Sequence, residues 1–376
     1  MYTAFLKNIK GDKVIWGVII VLFLFSLLTI YSTTSVLAKP RTSYLISQFG
    51  FVFAAFIAVY IMHIIPVGLY RNFAKPSLVL GALLVVVMLL FGVTENDATR
   101  WLRIPGIGIK FQPIDLARIA VILYTAKIME SEDLNSFRDF FKKLLIPLGI
   151  IFLLFLMAGI STALLMALTV FALWFVGGIK TGHLVKSFGI FVAALSLIVV
   201  IDRATPLNLI RSETGESRLT NFFSGIESKQ TRISKIAIAQ GGVFGAGPGN
   251  SELRSHIDLP FSDFVYPVII EEYGVAGGVS VMLLYLILLF RVIVIARSCK
   301  RVFTMIMVLG LVFMITFQAM VNMSVAVGIF PLTGQTLPMI SKGGTSIVTF
   351  GMALGMILAV SRATEERDMK QQINKQ

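Results

Sequence analysis

The sequence predicts an all-α polytopic membrane protein of about ten transmembrane helices. It reads as a single domain over residues 1–376, with a large extracytoplasmic loop between the seventh helix and the eighth. Three observations predict this. Hydrophobic residue types make up 56% of the 376 residues and charged types only 14%, with a mean hydropathy of +0.86. A water-soluble domain of that balance would expose large apolar patches. Apolar runs long enough to cross a bilayer recur along the whole chain, and Lys and Arg collect in alternate short connections between them.

The first 13 residues carry Lys7, Lys10 and Lys13, and an apolar run of about 20 follows. No small-residue cleavage site follows it closely, so residues 14–33 read as a retained first helix rather than a removed signal peptide. The next spans fall at 45–67, 77–94, 113–129, 144–158, 161–179 and 184–202. The fifth and sixth are close enough to form one long hairpin. After the loop at 203–264 come spans at 265–296, 302–330 and 343–361, the first of them long enough to kink or to extend beyond the bilayer. The end, RATEERDMKQQINKQ, reads as a solvated cytoplasmic tail over 362–376, without an apolar stripe to pack.

With the N-terminus inside, the cytoplasmic connections are 66–76, 127–144, 180–186 and 297–301, together with both tails. They hold Arg71, Lys75, Lys142, Lys143, Lys180, Arg297, Lys300, Arg301 and Arg367 among others, as the positive-inside rule requires. The formal charge of +13 is therefore assigned to the membrane surface. No interleaving of aromatic and basic residues suggests nucleic acid. The outer loop 95–112 is a mild exception, with Arg100, Arg103 and Lys110. An anionic ligand or ordinary headgroup contact explains it equally. The single cysteine, Cys299, excludes an internal disulfide, and its place in a basic cytoplasmic run suggests an idle thiol. The three histidines (His63, His183, His256) have no metal-ligand spacing with Cys299 or each other.

Four stretches carry chemistry. QGGVFGAGPGN (240–250) cannot continue a helix. Its backbone N–H groups, at Gly245 and Gly247 with Asn250 beside them, either cradle a phosphate or form a plain hinge. FPLTGQTLPMISKGGTS (330–346) breaks the backbone between two apolar spans. Such a break survives at membrane depth only where protein or a water-filled cavity covers it. Thr333, Ser341, Lys342 and Ser346 are its candidate ligand groups. HIDLPFSDFVYPVIIEEYG (256–274) places four carboxylates at the lip of a span. Ser262 could cap a helix there, with Asp263 in the first turn favoured by the helix dipole. Glu271 and Glu272 cannot both face lipid, and Arg118 and Lys342 are candidate ion-pair partners. In FQPIDLARIA (111–120), Asp115 and Arg118 share one helix face at i, i+3, a structural ion pair by default.

These stretches, together with NDATRWLRIPGIGIKFQPIDLAR and QAMVNMSVAVGIFPLTGQTLPMISKGGTS, resemble the SEDS family of bacterial membrane proteins, whose known types are FtsW and RodA. All the motifs occur in the family's order. The TLP of GQTLPMIS is closer to the FtsW type. The resemblance implies a peptidoglycan glycosyltransferase that polymerises lipid II during cell division, with release of undecaprenyl pyrophosphate. It implies a class B penicillin-binding protein transpeptidase as partner, beside other division-machinery membrane proteins, and a location in the inner membrane at the septum, both termini cytoplasmic. The family's essential acid falls on Asp263. Three departures stand out. Phe261 replaces a usual His, the Leu-Pro pair is displaced to Leu259–Pro260, and AGISTALL replaces a usual P-D-L-G-T, leaving Gly159 near the place of the missing Asp. This last change is expected to lie far from the chemistry.

On this reading Asp263 is the general base for an acceptor sugar hydroxyl. Lys342, Arg100 and Arg218 are candidates for holding the departing diphosphate, with or without a divalent cation such as Mg or Mn. A lipid II transporter or a non-catalytic division scaffold are the alternatives, the first weakened by the absence of a visible inverted repeat.

Overall fold

The computed structural model describes residues 10–33, 41–95, 98–103, 110–204, 212–252 and 262–374. His256, Asp258, Leu259, Pro260 and Phe261 lie outside the described residues.

Helix α1 (Lys13–Thr33) begins where Asp12 accepts the backbone N–H groups of Val14 and Ile15, at 2.9 and 3.1 Å. It is followed by α2 (Arg41–Ile64) and α3 (Val67–Phe91). A small antiparallel sheet comes next, β1 (Val93–Glu95), β2 (Ala98–Arg103) and β3 (Lys110–Phe111), in the order β1-β2-β3. Then come α4 (Pro113–Ser131), α5 (Phe137–Ala158, with a π turn over Phe141–Leu145), α6 (Ile160–Val176) and α7 (Thr181–Ala204). The segment that follows holds two amphipathic helices, α8 (Ser212–Phe223) and α9 (Lys229–Gly241). Helices α10 (Val265–Ser298), α11 (Val302–Ala326) and α12 (Thr345–Ile373) complete the bundle.

Eight of these helices are long and apolar enough to cross a membrane. The two further expected spans fall short for identifiable reasons. Helix α6 is apolar but only 17 residues long, and α4 carries four charged residues among its 19. Both are largely buried in the bundle rather than turned to lipid.

Two expected boundaries are corrected. Residues 66–76 are not a loop: α3 starts at Val67, directly after Pro66, and contains Pro76. A proline inside a helix is tolerated in a membrane bundle because nearby groups re-satisfy the backbone, and Ser77 Oγ donates to Ala74 O at 3.0 Å beside it. The tail is also not idle. Helix α12 runs on to Ile373, and Glu365 accepts the Gly11 N–H at 2.9 Å while Glu366 pairs with Lys10.

The core centres on α11 and α12, which are apolar on most of their surfaces because neighbours cover them nearly all round. Helix α12 packs against α2 through the small pair Gly351 and Gly355. A Cβ at Gly355 would lie 2.5 Å from Val59 O, closer than real side chains come. This is the close approach that small residues four apart allow between membrane helices. Helix α7 lies at the periphery with most of its residues exposed.

Candidate active site

Helix α10 starts at Val265, with Phe264 as its cap residue and no side-chain cap. Ser262 is therefore not the cap expected from the sequence. Its hydroxyl donates instead to Asp263 Oδ1 at 2.9 Å. Asp263 is held just before the helix by α11: Asn322 Nδ2 donates to Asp263 O at 2.8 Å and to Gln335 O at 2.7 Å. One amide thereby ties the acid to the Gly/Pro-rich segment 330–344. Gly334, at φ 64°, passes so near that a Cβ there would stand 3.6 Å from Asp263 Oδ2.

That segment has irregular backbone inside the protein, as expected. Gln318 Nε2 donates to Thr336 O at 2.9 Å, Ser26 Oγ to Ile340 O at 2.9 Å, and Tyr285 Oη to Pro338 O. Gln335 Nε2 donates to Thr162 Oγ1 at 3.0 Å. Side chains from α1, α10 and α11 thus satisfy backbone carbonyls of a chain that forms no ladder of its own, as burial demands, while α6 holds the Gln335 side chain.

Two cations act on the Asp263 carboxyl, Arg100 from β2 and Arg218 from α8. Arg100 Nε donates to Ala158 O at 3.3 Å, and Arg218 Nη1 to Leu332 O at 3.4 Å. Burial raises the Asp263 carboxyl above the ordinary range. The Ser262 hydroxyl and the two arginines pull it down without cancelling that effect. A carboxylate raised in this way is a stronger base than one in water.

Gly159 belongs to this neighbourhood, which corrects the expectation that AGISTALL lies far from the chemistry. A Cβ at Gly159 would stand 3.1 Å from Arg100 Nη2, and Thr162 in the same stretch holds Gln335. The absent side chain makes room for the guanidinium.

The remaining candidates divide. Lys342 Nζ lies over the Tyr44 ring, 3.8 Å from its centroid, and is not among the charges acting on Asp263. Lys110 binds the start of α12 through its carbonyl, which accepts from Thr345 Oγ1 at 3.3 Å. Ser346 Oγ contacts Gln112 Oε1 at 3.3 Å, and Ser341 Oγ accepts the Leu337 N–H at 2.9 Å, so both are engaged in holding structure. Thr333 is partly exposed and precedes Gly334, the residue that passes close to the acid.

The backbone N–H groups of Gly245 and Gly247, candidates for a phosphate cradle together with Asn250, have protein partners in the structure. Helix α10 breaks at Gly274 (φ 72°, ψ −178°), and the Gly-rich stretch repairs the break. Ala246 and Gly247 donate to the carbonyls of Glu271 and Glu272 at 2.8 and 3.0 Å, and Val275 donates to Gly242 O at 2.9 Å. Gly245 N–H goes to Gly241 O at 2.8 Å, and Asn250 Nδ2 to Ala246 O at 2.9 Å. A Cβ at Gly245 would fall 2.2 Å from Glu272 O. These donors are spent on protein.

The ion pair Asp115–Arg118 is present at 3.7 Å and buried, and Arg118 also donates to Gln318 Oε1 at 2.7 Å. The described contacts of Glu271 and Glu272 are not with Arg118 or Lys342. Glu271 accepts from Ser251 Oγ and from the Glu252 N–H at 2.7 Å, and Glu272 accepts from Ser32 Oγ. Sequence reading missed Gln318 and Asn322. Their signal was available: two amides four apart on one face of an otherwise apolar span.

Among the described residues no group of three His, Cys, Asp or Glu side chains could hold a metal. Asp263 is one carboxylate under the influence of two guanidinium groups, a donor set that by itself does not fit a protein-held cation.

A family model described as "Cell cycle protein", covering the FtsW, RodA and SpoVE group, matches residues 12–366. The chain is similar to stage V sporulation protein E of Bacillus subtilis (strain 168), 28% identical over 95% of this chain and 98% of that one. It is similar to the probable peptidoglycan glycosyltransferase FtsW of Enterococcus hirae, 30% identical over 97% and 96%. Its fold matches the crystal structure of Thermus thermophilus RodA with a TM-score of 0.70 at 24% identity, over 94% of this chain and 97% of that one. It also matches a chain of a peptidoglycan synthase complex, with a TM-score of 0.75 at 24% identity over 94% and 98%. The chain belongs to the FtsW/RodA/SpoVE family of polytopic membrane proteins, the SEDS family of the motif resemblance, and is FtsW-like in its relatives.

Proposed function

We propose that this protein polymerises lipid II with Asp263 as its base. It is a multi-pass inner-membrane peptidoglycan glycosyltransferase. The observation that carries the site assignment is a single carboxylate, raised by burial, tied at the head of α10 by Asn322 and lying within the electrostatic reach of Arg100 and Arg218.

The acceptor is the 4-hydroxyl of one sugar, and the donor sugar is linked to undecaprenyl pyrophosphate. As the hydroxyl oxygen attacks the anomeric carbon, its proton passes to the Asp263 carboxylate. The bond from that carbon to the diphosphate oxygen breaks, and configuration inverts. The leaving group is the anion of a strong acid and needs no proton. It needs positive charge, which Arg100 and Arg218 supply in a partly water-excluded place. Thr333, partly exposed and next to Gly334 in the chain, is the residue assigned here to bind sugar hydroxyls. The partner is a class B penicillin-binding protein transpeptidase, the complex works with other division-machinery proteins at the septum, and both termini are cytoplasmic. The neighbouring fold from a peptidoglycan synthase complex supports the pairing.

The test is purified protein, with a candidate transpeptidase, given lipid II already incorporated in one membrane leaflet. Asp263→Asn should lose about 10²–10⁴-fold in polymer formation, the usual contribution of a positioned base. Full activity in that variant removes the acid from the base role. A failure of the wild type to polymerise, with transport of lipid II across the bilayer, favours the transporter instead.

A further inference from the structure

At the end of the bundle opposite Asp263, where α10 finishes, the structure has a cavity of about 300 Å³ between the starts of α3 and α11 and the far part of α12. Four cations line it, Arg71, Lys300, Arg301 and Arg367, and no acid does. Arg71 is paired with Glu130 at 2.5 Å and Arg367 with Asp368 at 2.9 Å. Among the described residues, Lys300 and Arg301 have no carboxylate within 4.0 Å. The start of α11 lines the same space through Phe303 and Thr304. Its cap residue, Arg301, gives no side-chain cap, and its first turn has no acid. Its free N–H groups add to the positive potential. Most of the remaining wall is apolar, Val67, Val360 and Ala363 among it, and Thr364 adds a hydroxyl.

Such a cavity is half cationic and half apolar, and it stands where membrane helices end. A soluble phosphate compound would match the cations but not the apolar wall. A phospholipid matches both, its phosphodiester against the cations and its glycerol and first methylenes against the valines. Basic clefts between helices at a membrane surface take such headgroups. We infer that this cavity binds the phosphodiester headgroup of an anionic phospholipid from the adjacent leaflet. The inference is independent of the glycosyl-transfer reading, since none of these residues contacts the Asp263 site.

The chain carries its own probe. Cys299, the sole cysteine, lines the cavity and is partly buried, and burial pushes its thiol above the usual range, which makes alkylation slow enough to time. The full chain is placed in phosphatidylcholine nanodiscs, with or without a fraction of phosphatidylglycerol, and treated with uncharged N-ethylmaleimide at fixed pH. Phosphatidylglycerol should slow labelling of the wild type. In Lys300→Gln/Arg301→Gln the protection should be lost, because each cation removed weakens headgroup binding roughly 5-fold. Lys300→Arg/Arg301→Lys, which keeps the charge, should retain protection and shows that substitution alone is not responsible. Equal labelling in both membranes overturns the inference. So does equal slowing in wild type and the Gln variant, which would be a general surface effect. Protection by inorganic phosphate in pure phosphatidylcholine, without protection by phosphatidylglycerol, overturns the lipid and assigns a soluble phosphate compound.

Discussion

Asp263 resolves the puzzle of four acids at one membrane lip by division of labour. Glu271 and Glu272 are buried within α10 and bound by serine hydroxyls. Asp258 lies outside the described residues. Asp263 feels the charge of two cations, Arg100 and Arg218. Its raised pKa has a sign that can be checked. Catalysis needs the ionised form, so activity should fall as pH drops through the folded-state value, above the ordinary aspartate near 3.9. Arg218 lowers that value. Arg218→Gln should therefore move the acid limb of the polymerisation profile to higher pH as well as weaken lipid II use. A limb that stays in place, or moves down, would mean Arg218 does not act on this carboxyl. The same burial implies that charge at position 263 costs stability at neutral pH, so Asp263→Asn should have an unchanged or higher Tm while inactive.

At the scale of elements, Gly-rich sequence proved the most ambiguous signal. The composition of QGGVFGAGPGN fits a phosphate cradle and a backbone splice equally well, because both need N–H groups free of Cβ obstruction. Only the location of the α10 break at Gly274 separates them, and no residue pattern in VIIEEYGVAGG gives its φ. Gly245→Ala decides the matter experimentally. A Cβ there meets the Glu272 carbonyl and a φ of 81°, so the variant should lose stability by about 2–5 kcal/mol from overpacking and left-handed strain. Gly249→Ala, at φ 84° with open space around it, should cost only the strain, about 1–2 kcal/mol. An unchanged Tm for Gly245→Ala with a weakened apparent affinity for lipid II would restore the cradle. Other elements were more legible. The Gly/Pro-rich 330–346 segment reads directly as irregular, and the charge alternation Asp115–Arg118 as a pair. Residues 66–76 did not, because Pro76, Arg71 and Lys75 carry loop-forming chemistry that a membrane helix end also tolerates. Gln318 and Asn322 were visible as amides in an apolar span, but the groups their amide nitrogens bind are backbone carbonyls of Thr336, Asp263 and Gln335, which no side-chain pattern records.

Across the whole molecule, ion pairs and hydrogen bonds gather the ends of the chain on one face. Asp12 N–H binds Ser361 Oγ at 2.9 Å, Lys10 meets Glu366, and Arg291 pairs with Asp12. Helices α1 and α12 therefore begin and finish at the same surface, which requires an even number of crossings between them. The same surface collects the start of α3, the end of α4 and the start of α5 through Arg71–Glu130 and Lys143–Glu132, and Lys180 Nζ donates to Asn135 O at 3.0 Å. The positive-inside rule predicts that this cation-bearing surface is the cytoplasmic one. The α8–α9 turn, which follows the arm carrying Arg218, belongs to the opposite face with Asp263. Single cysteines in a Cys299→Ala background test this arrangement, with a membrane-impermeant maleimide added to intact cells or spheroplasts. Ser224→Cys, exposed between α8 and α9, should label without permeabilisation, whereas Asn135→Cys, exposed between α4 and α5, should label only after it. Reversal of that pattern would put the acid on the cytoplasmic side. Labelling of both from outside would mean that α5, α6 and α7 do not make three crossings between those points. The reversal would leave the Asp263 site unable to receive a lipid-linked sugar presented at the outer face, whereas double labelling would keep the acid outside and overturn the course of the chain between α4 and α8.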